Sequence, residues 1–166
     1  MDKYYYLISS LPLLKFAKEP YITQKDFIVE AEKWLSQRDL IILSRVDINN
    51  FLEDKEDTSL LGRWKEFEHC LRNELALFRR ARKENREYRL RGDLARIAQG
   101  DSNPLEIEKR LLLLRWDFLD EYEFEHFFDL DFLIIYYLKL QILGRLASFD
   151  KEKGKAVFVA NSSVEL

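Results

Sequence analysis

One cysteine, five glycines and three prolines in 166 residues exclude several architectures at once. A lone Cys70 rules out a disulfide framework and a cysteine-built metal site, as expected for a chain kept in a reducing cytosol. So little glycine and proline does not supply a sandwich or barrel with turns about every ten residues. The longest uncharged apolar run, Phe132 to Leu138, is seven residues, far short of the ~20 that span a bilayer. The opening Met1-Asp2-Lys3 followed by three tyrosines lacks a signal-peptide layout, so a cytoplasmic chain that is not membrane-spanning is expected. Catalytic signatures are missing too: there is no Gly-x-Ser-x-Gly, phosphate loop or dinucleotide fingerprint. Cys70 directly follows His69, which on a helix sets the two side chains about 100° apart and prevents a nucleophile–base pair.

Apolar residues make up 47% of the chain and aromatics 14%, enough to bury a core in one domain. The net charge of −3 is uneven. Residues 1–57 carry net −3, residues 63–96 net +5 and residues 97–166 net −5. A basic band between two acidic segments suggests helix-to-helix complementarity or docking on an acidic partner.

Helical signals recur along the chain. Tyr4 to Ser10 fits a short strand or a first helix, closed by Pro12. Thr23 caps a helix carrying Phe27, Ala31, Trp34 and Leu35, and Ser36 caps a short one through Leu40, Ile41, Leu43 and Val46. Asn49 to Asp57 is an acidic loop. Thr58 or Ser59 starts a long helix with the stripe Leu60, Leu61, Trp64, Phe67, Leu71, Leu75 and Phe78. The pattern turns polar at Arg79 and resumes with Tyr88, Leu90, Leu94 and Ile97, up to Gly100 as a C-cap. Asn103 and Pro104 open the next helix, with Leu105, Leu112, Trp116, Leu119 and Tyr122 as its stripe. Asp129 caps the last one, apolar nearly all round from Leu130 to Leu138, the mark of a helix at the centre of a bundle. Lys139, Gln141 and Arg145 are expected to restore a wet face there, and Gly154 to break the pattern. The expected fold is an all-α bundle of five or six helices around a buried helix at 129–149. It forms one domain at 1–155, followed at 156–166 by a tail that is flexible or strand-like, or truncated from a longer protein.

Three constellations bear on function. Glu-Phe-Glu-His occurs twice, at Glu66–His69 and Glu123–His126, and Glu-x-x-His is the ligand spacing of di-metal carboxylate bundles. Glu66, His69, Glu123 and His126 are therefore the candidate metal ligands. Such a site also needs two further glutamates, and Glu106 lies about 25 Å from Glu123 along one helix. Solvated acids beside two histidines are the better expectation, with no metal or cofactor. Second, Arg72, Arg79, Arg80, Arg82, Arg86, Arg89, Arg91 and Arg96 form a band that could hold nucleic-acid phosphates. Glu74, Glu84, Glu87 and Asp93 interrupt it, which favours a protein partner. Third, Arg115 and Trp116 join Arg72 as interaction candidates beside the apolar stripes, the arginines able to bridge helices through carboxylates. Tyr4, Tyr5, Tyr6 and Trp34 are expected in the core, with an exposed docking patch as the alternative, and Asp117, Asp120 and Glu121 on a wet face. No small-molecule substrate is expected.

The segments Tyr4-Tyr5-Tyr6-Leu7-Ile8-Ser9-Ser10-Leu11-Pro12, Leu71-Arg72-Asn73-Glu74-Leu75, Asn103-Pro104-Leu105-Glu106, Arg115-Trp116-Asp117-Phe118-Leu119-Asp120 and Tyr137-Leu138-Lys139-Leu140-Gln141-Ile142-Leu143 resemble a bacterial domain-of-unknown-function family. The likeness runs from Tyr4 to about Phe158. Genes of that family tend to lie among those of V-type (A/V-type) ATPase subunits. The resemblance implies a non-catalytic helical accessory or stalk subunit in contact with the ATPase's central shaft or membrane ring. It would be cytoplasmic, peripheral to the inner membrane through that complex. It further suggests kinship with the all-helical C or d subunit, although C-type subunits are about twice this length and built of three modules. A di-metal bundle and a helical nucleic-acid adaptor are the alternatives.

Overall fold

Polar side chains start five of the helices. In the computed structural model, which describes residues 4–50, 52, 54–55, 57–90, 92–98, 103–149 and 154–155, Thr23, Ser36, Thr58, Asn103 and Asp129 are each extended. Each accepts the amide hydrogen bond of the residue three positions on, satisfying one orphan donor of the first turn. Seven helices occur among the described residues: α1 (Tyr5–Ser10), α2 (Gln24–Glu32), α3 (Gln37–Ser44), α4 (Ser59–Lys83), α5 (Gly92–Ala98), α6 (Pro104–Glu123) and α7 (Leu130–Ala147). The fold is all-α, and Tyr5–Ser10 resolves to a helix and not a strand.

The count exceeds five or six because the polar stretch after Arg79 is a true break. Asn85 takes a left-handed conformation, φ 53°. The Arg86 amide then reaches back to the Ala81 carbonyl at 2.8 Å and the Asn85 amide to Arg82 at 3.3 Å. This is a Schellman closure on a residue type that tolerates the geometry. Gly100 and the tail at 156–166 lie outside the described residues. α7 ends at Ala147, ahead of Gly154, which with Lys155 is itself helical.

The core forms around α7. Leu133, Ile134, Leu138 and Ile142 have no exposed surface and meet Leu7, Phe27, Ala31, Leu43, Leu60, Trp64, Leu112 and Leu119 from five other helices. Each such side chain contributes about 1.5–3 kcal/mol on leaving water. Phe27 stacks on Tyr137 at 5.5 Å and lies 5.3 Å from Tyr136. A smaller cluster of Leu71, Ile97 and Leu111 ties the second half of α4 to α5 and α6.

The wet face expected on α7 is largely absent. Lys139 and Gln141 are buried, and only Arg145 is exposed. Gln141 is accommodated because its amide behaves as a backbone unit. Its Nε2 donates to the Val46 carbonyl at 2.8 Å and its Oε1 accepts from the Ile48 amide at 2.9 Å, so the residues after α3 lie across α7. The Tyr136 hydroxyl donates to the Pro12 carbonyl at 2.8 Å, fixing the segment after α1. Leu105, placed on the apolar stripe of α6 by spacing, is exposed at the first turn of that helix.

Candidate functional site

Helical spacing explains the most deeply buried charge. Trp64, Glu68, Leu71 and Leu75 follow at steps of four, three and four, so Glu68 shares the inward face of α4. Its side chain is fully buried, against the expectation of a solvated acid. Two guanidiniums neutralise it. Arg115 of α6 donates through Nε to Oε1 at 2.5 Å and through Nη2 to Oε2 at 3.2 Å, and Arg72 donates through Nε to Oε2 at 3.0 Å. A fork-like Arg–carboxylate pair of this kind is rigid as well as strong. Arg72 and Arg115 thus bridge helices through one carboxylate.

The same two arginines open onto a groove of about 450 Å³ between α4, α6 and α7. Arg79 and Arg145 also line it, so three helices contribute four guanidiniums. Arg145 lies 3.7 Å from Glu108, and its guanidinium sits over the Phe149 ring at 5.1 Å. Arg79 is exposed and makes no ion pair among the described residues.

The remaining arginines of the band point elsewhere. Arg80 pairs with Glu84 at 3.1 Å and Arg86 also pairs with Glu84. Arg82, Arg86 and Arg89 line a separate hollow with Phe78 and Tyr88. Arg96 approaches Asp93 at 3.6 Å, and Arg91 lies outside the described residues. The band is therefore not one surface. It divides across α4, where Arg80 and Arg82 turn away from the groove, and Arg72 and Arg79 join Arg115 and Arg145, both from beyond the band.

A second cavity, of about 430 Å³, lies beside Trp116. The Lys139 ammonium is held by the carboxylates of Asp120 and Glu123 and sits 5.1 Å above the Trp116 ring. Asp120 and Glu123 are thus counter-charges for a buried lysine and not merely wet-face acids. Helical spacing places both one turn from Trp116 and Leu119, at the margin of the buried face. Burial, then the charges of Asp120 and Asp93, push the neighbouring Asp117 carboxyl up. Trp116 is itself buried, so its indole is packing and does not offer a docking surface.

The doubled Glu-Phe-Glu-His motif does not converge. Glu66 and His69 are exposed on α4. His126 pairs through Nδ1 with Asp129 at 2.6 Å, and Glu123 is engaged by Lys139. Among the described residues no three His, Cys, Asp or Glu side chains gather as a metal ion requires.

For the N-terminal aromatics the exposed alternative prevails over the core in three of four. Of the four aromatics expected mainly in the core, only Tyr4 is there, its hydroxyl donating to Asp39. Tyr5, Tyr6 and Trp34 are exposed by 49%, 71% and 46%. Tyr6 stacks on Trp34 at 5.8 Å, Tyr5 meets Tyr6 edge-on at 5.8 Å, and Phe128 closes on Tyr5 at 4.9 Å. Phe124 and Phe127, in the same turn as Phe128, are exposed as well. Trp34 Nε1 donates to Glu30 at 3.4 Å and Lys33 pairs with Glu30 at 2.5 Å. Those two bonds, Lys33 first, hold the Glu30 carboxyl below its usual range. α1 is a single short turn-and-a-half whose one inward position after Tyr4 is taken by Leu7, which leaves its next two tyrosines outside.

A family described as protein of unknown function (DUF2764) has a model that matches residues 81–160. The match begins at the end of α4 and takes in α5, α6 and α7, including Arg115 and the Tyr137–Leu143 segment. No curated protein and no solved structure matches the chain.

Proposed function

We propose that this chain is a non-catalytic helical accessory subunit of a V-type rotary ATPase, acting through protein–protein contacts. The observation that carries the contact role is the aromatic strip of Tyr5, Tyr6, Trp34 and Phe128, largely exposed and rimmed by Glu30 and Lys33. Tyrosine and tryptophan in a contiguous patch with a polar rim are the composition of interface centres, and patches of this kind are uncommon on surfaces without partners. The ATPase assignment draws on the sequence resemblance set out above. No described helix is long and apolar enough to cross a membrane, which agrees with attachment through other subunits at the membrane periphery.

The test is affinity capture of the tagged chain from its native cells, with the eluate analysed for ATPase shaft and ring subunits. Those subunits are expected to co-elute. Tyr6→Ala and Trp34→Ala should each weaken retention by about tenfold or more, as central aromatic truncations do. Eluates of folded chain free of ATPase subunits would overturn the assignment.

A further inference from the structure

We propose that the arginine groove between α4, α6 and α7 receives an acidic helix of a partner protein, one whose carboxylates repeat every seven residues. The proposal rests on this chain's being a protein-contact module, but not on the partner's being an ATPase subunit.

Charge is the first observation. The groove lining holds four arginines and Glu108, with the buried Glu68 beneath it. Glu68 does not close the site. It takes the Nε and Nη2 protons of Arg115, and a guanidinium has further N–H donors in the same plane. Anchored from below, Arg115 is held in one rotamer, so little side-chain entropy is lost when a carboxylate arrives. Arg79 stands at the outer end with no ion pair among the described residues.

Spacing then selects among anions. Arg72 and Arg79 are two turns apart on one helix, about 10.5 Å along its axis. One phosphate group is far too small to bridge that interval. A helix lying along α4 has the same rise, so acids seven residues apart fall opposite both arginines. Its intermediate apolar positions then meet Leu75, Leu111 and Leu112 on the groove wall. Glu108 argues against a polyphosphate strand, which brings only further negative charge, whereas a peptide can set a basic or amide side chain against it. A volume of about 450 Å³ takes the side chains of one helix face and leaves the backbone outside.

The experiment uses the full chain and a fluorescent alanine-rich peptide of about 20 residues, long enough to be helical. It carries glutamates at positions i, i+4, i+7 and i+11. Its control has the same composition with the glutamates spread around the helix. Anisotropy is expected to show salt-sensitive binding of the patterned peptide and about tenfold weaker binding of the control. Arg79→Glu should weaken the patterned peptide about tenfold and Arg79→Gln about threefold. Arg79 is exposed, so both variants should keep their helices, with circular dichroism as the check. Equal affinity for the two peptides, or affinity unmoved by either substitution, overturns the proposal. Displacement by a single-stranded oligonucleotide at the patterned peptide's own concentration range also overturns it, in favour of a nucleic-acid groove. Because no ATPase subunit is present, this result is independent of the co-elution experiment.

Discussion

Replacing Glu68 by glutamine keeps the volume of the side chain and removes its charge. In the wild type the fully buried carboxylate accepts three hydrogen bonds, two from Arg115 and one from Arg72. Arg115 has only 12% of its side chain exposed, so its charge recovers little water where it stands. Breaking a buried pair from one side costs about 3–5 kcal/mol. Two things lower that figure here: Arg72 is 38% exposed and can turn outward, and glutamine keeps one accepting oxygen. A loss of about 3 kcal/mol is expected, from the buried-pair range above, with melting lowered by roughly 6–12 °C for a chain of this size. Urea unfolding with an unchanged slope measures it. The double variant Glu68→Met with Arg115→Met replaces both charges by apolar groups and should return to within about 1 kcal/mol of wild type. If Glu68→Gln alone stays within about 0.5 kcal/mol of wild type, as surface substitutions do, the triad is not holding α4 to α6 and the reasoning fails.

Alkaline pH should destabilise the fold through its buried tyrosines. Burial, then the hydrogen bond to Asp39 and its charge, push Tyr4 from 10.0 up to about 12, and burial raises Tyr136 and Tyr137. A raised folded-state value gives stability that is intact below pH 10 and lost as pH climbs from 10 toward 12; Tyr4→Phe should flatten that loss in unfolding measured against pH. Gly144→Ala on α7 should stabilise by about 0.5–1 kcal/mol through helix propensity. Its new Cβ meets only the tip of Gln24, at 2.6 Å, whose bond to the Leu140 carbonyl is already long at 3.5 Å. A loss in thermal stability there would show that Gln24 cannot yield. Asp129→Ala removes both the α7 cap and the partner of His126, and should cost about 1 kcal/mol in urea unfolding.

Helix starts were the most legible part of the chain, because capping is local chemistry. Thr23, Ser36, Thr58, Asn103 and Asp129 act where their residue types and the following apolar spacing place them. The buried α7 is legible for the same reason, as seven consecutive apolar residues leave a helix no wet face. Polar burial is different. Glu68 is buried because Arg115, 47 positions away, arrives to meet it, and Gln141 because Val46 and Ile48 offer it backbone partners. Periodicity names the face of a helix but not the neighbour that covers it. The aromatic strip lies outside, the lesser of the two sequence readings, for the converse reason: α1 is too short for its tyrosines to find cover. The arginine band was visible as composition, yet the faces of α4 split it, Arg72 and Arg79 on the groove and Arg80 and Arg82 away from it, and only folding adds Arg115 and Arg145 to the first pair.

The bonds that α7 makes to the far end of the chain also set the order in which the protein can fold. Tyr136 reaches Pro12 across 124 positions, and Gln141 reaches Val46 across 95. On a ribosome adding about 5–20 residues per second, Phe27 emerges roughly 5–21 s ahead of Leu130, the start of the helix it packs against. During that interval Phe27, Ala31 and Leu43 lack α7, the helix at the centre of their cluster. Synthesis of α7 is thus the closing event, and a nascent chain halted before Leu130 presents the apolar faces of α2 and α3 to chaperones and proteases.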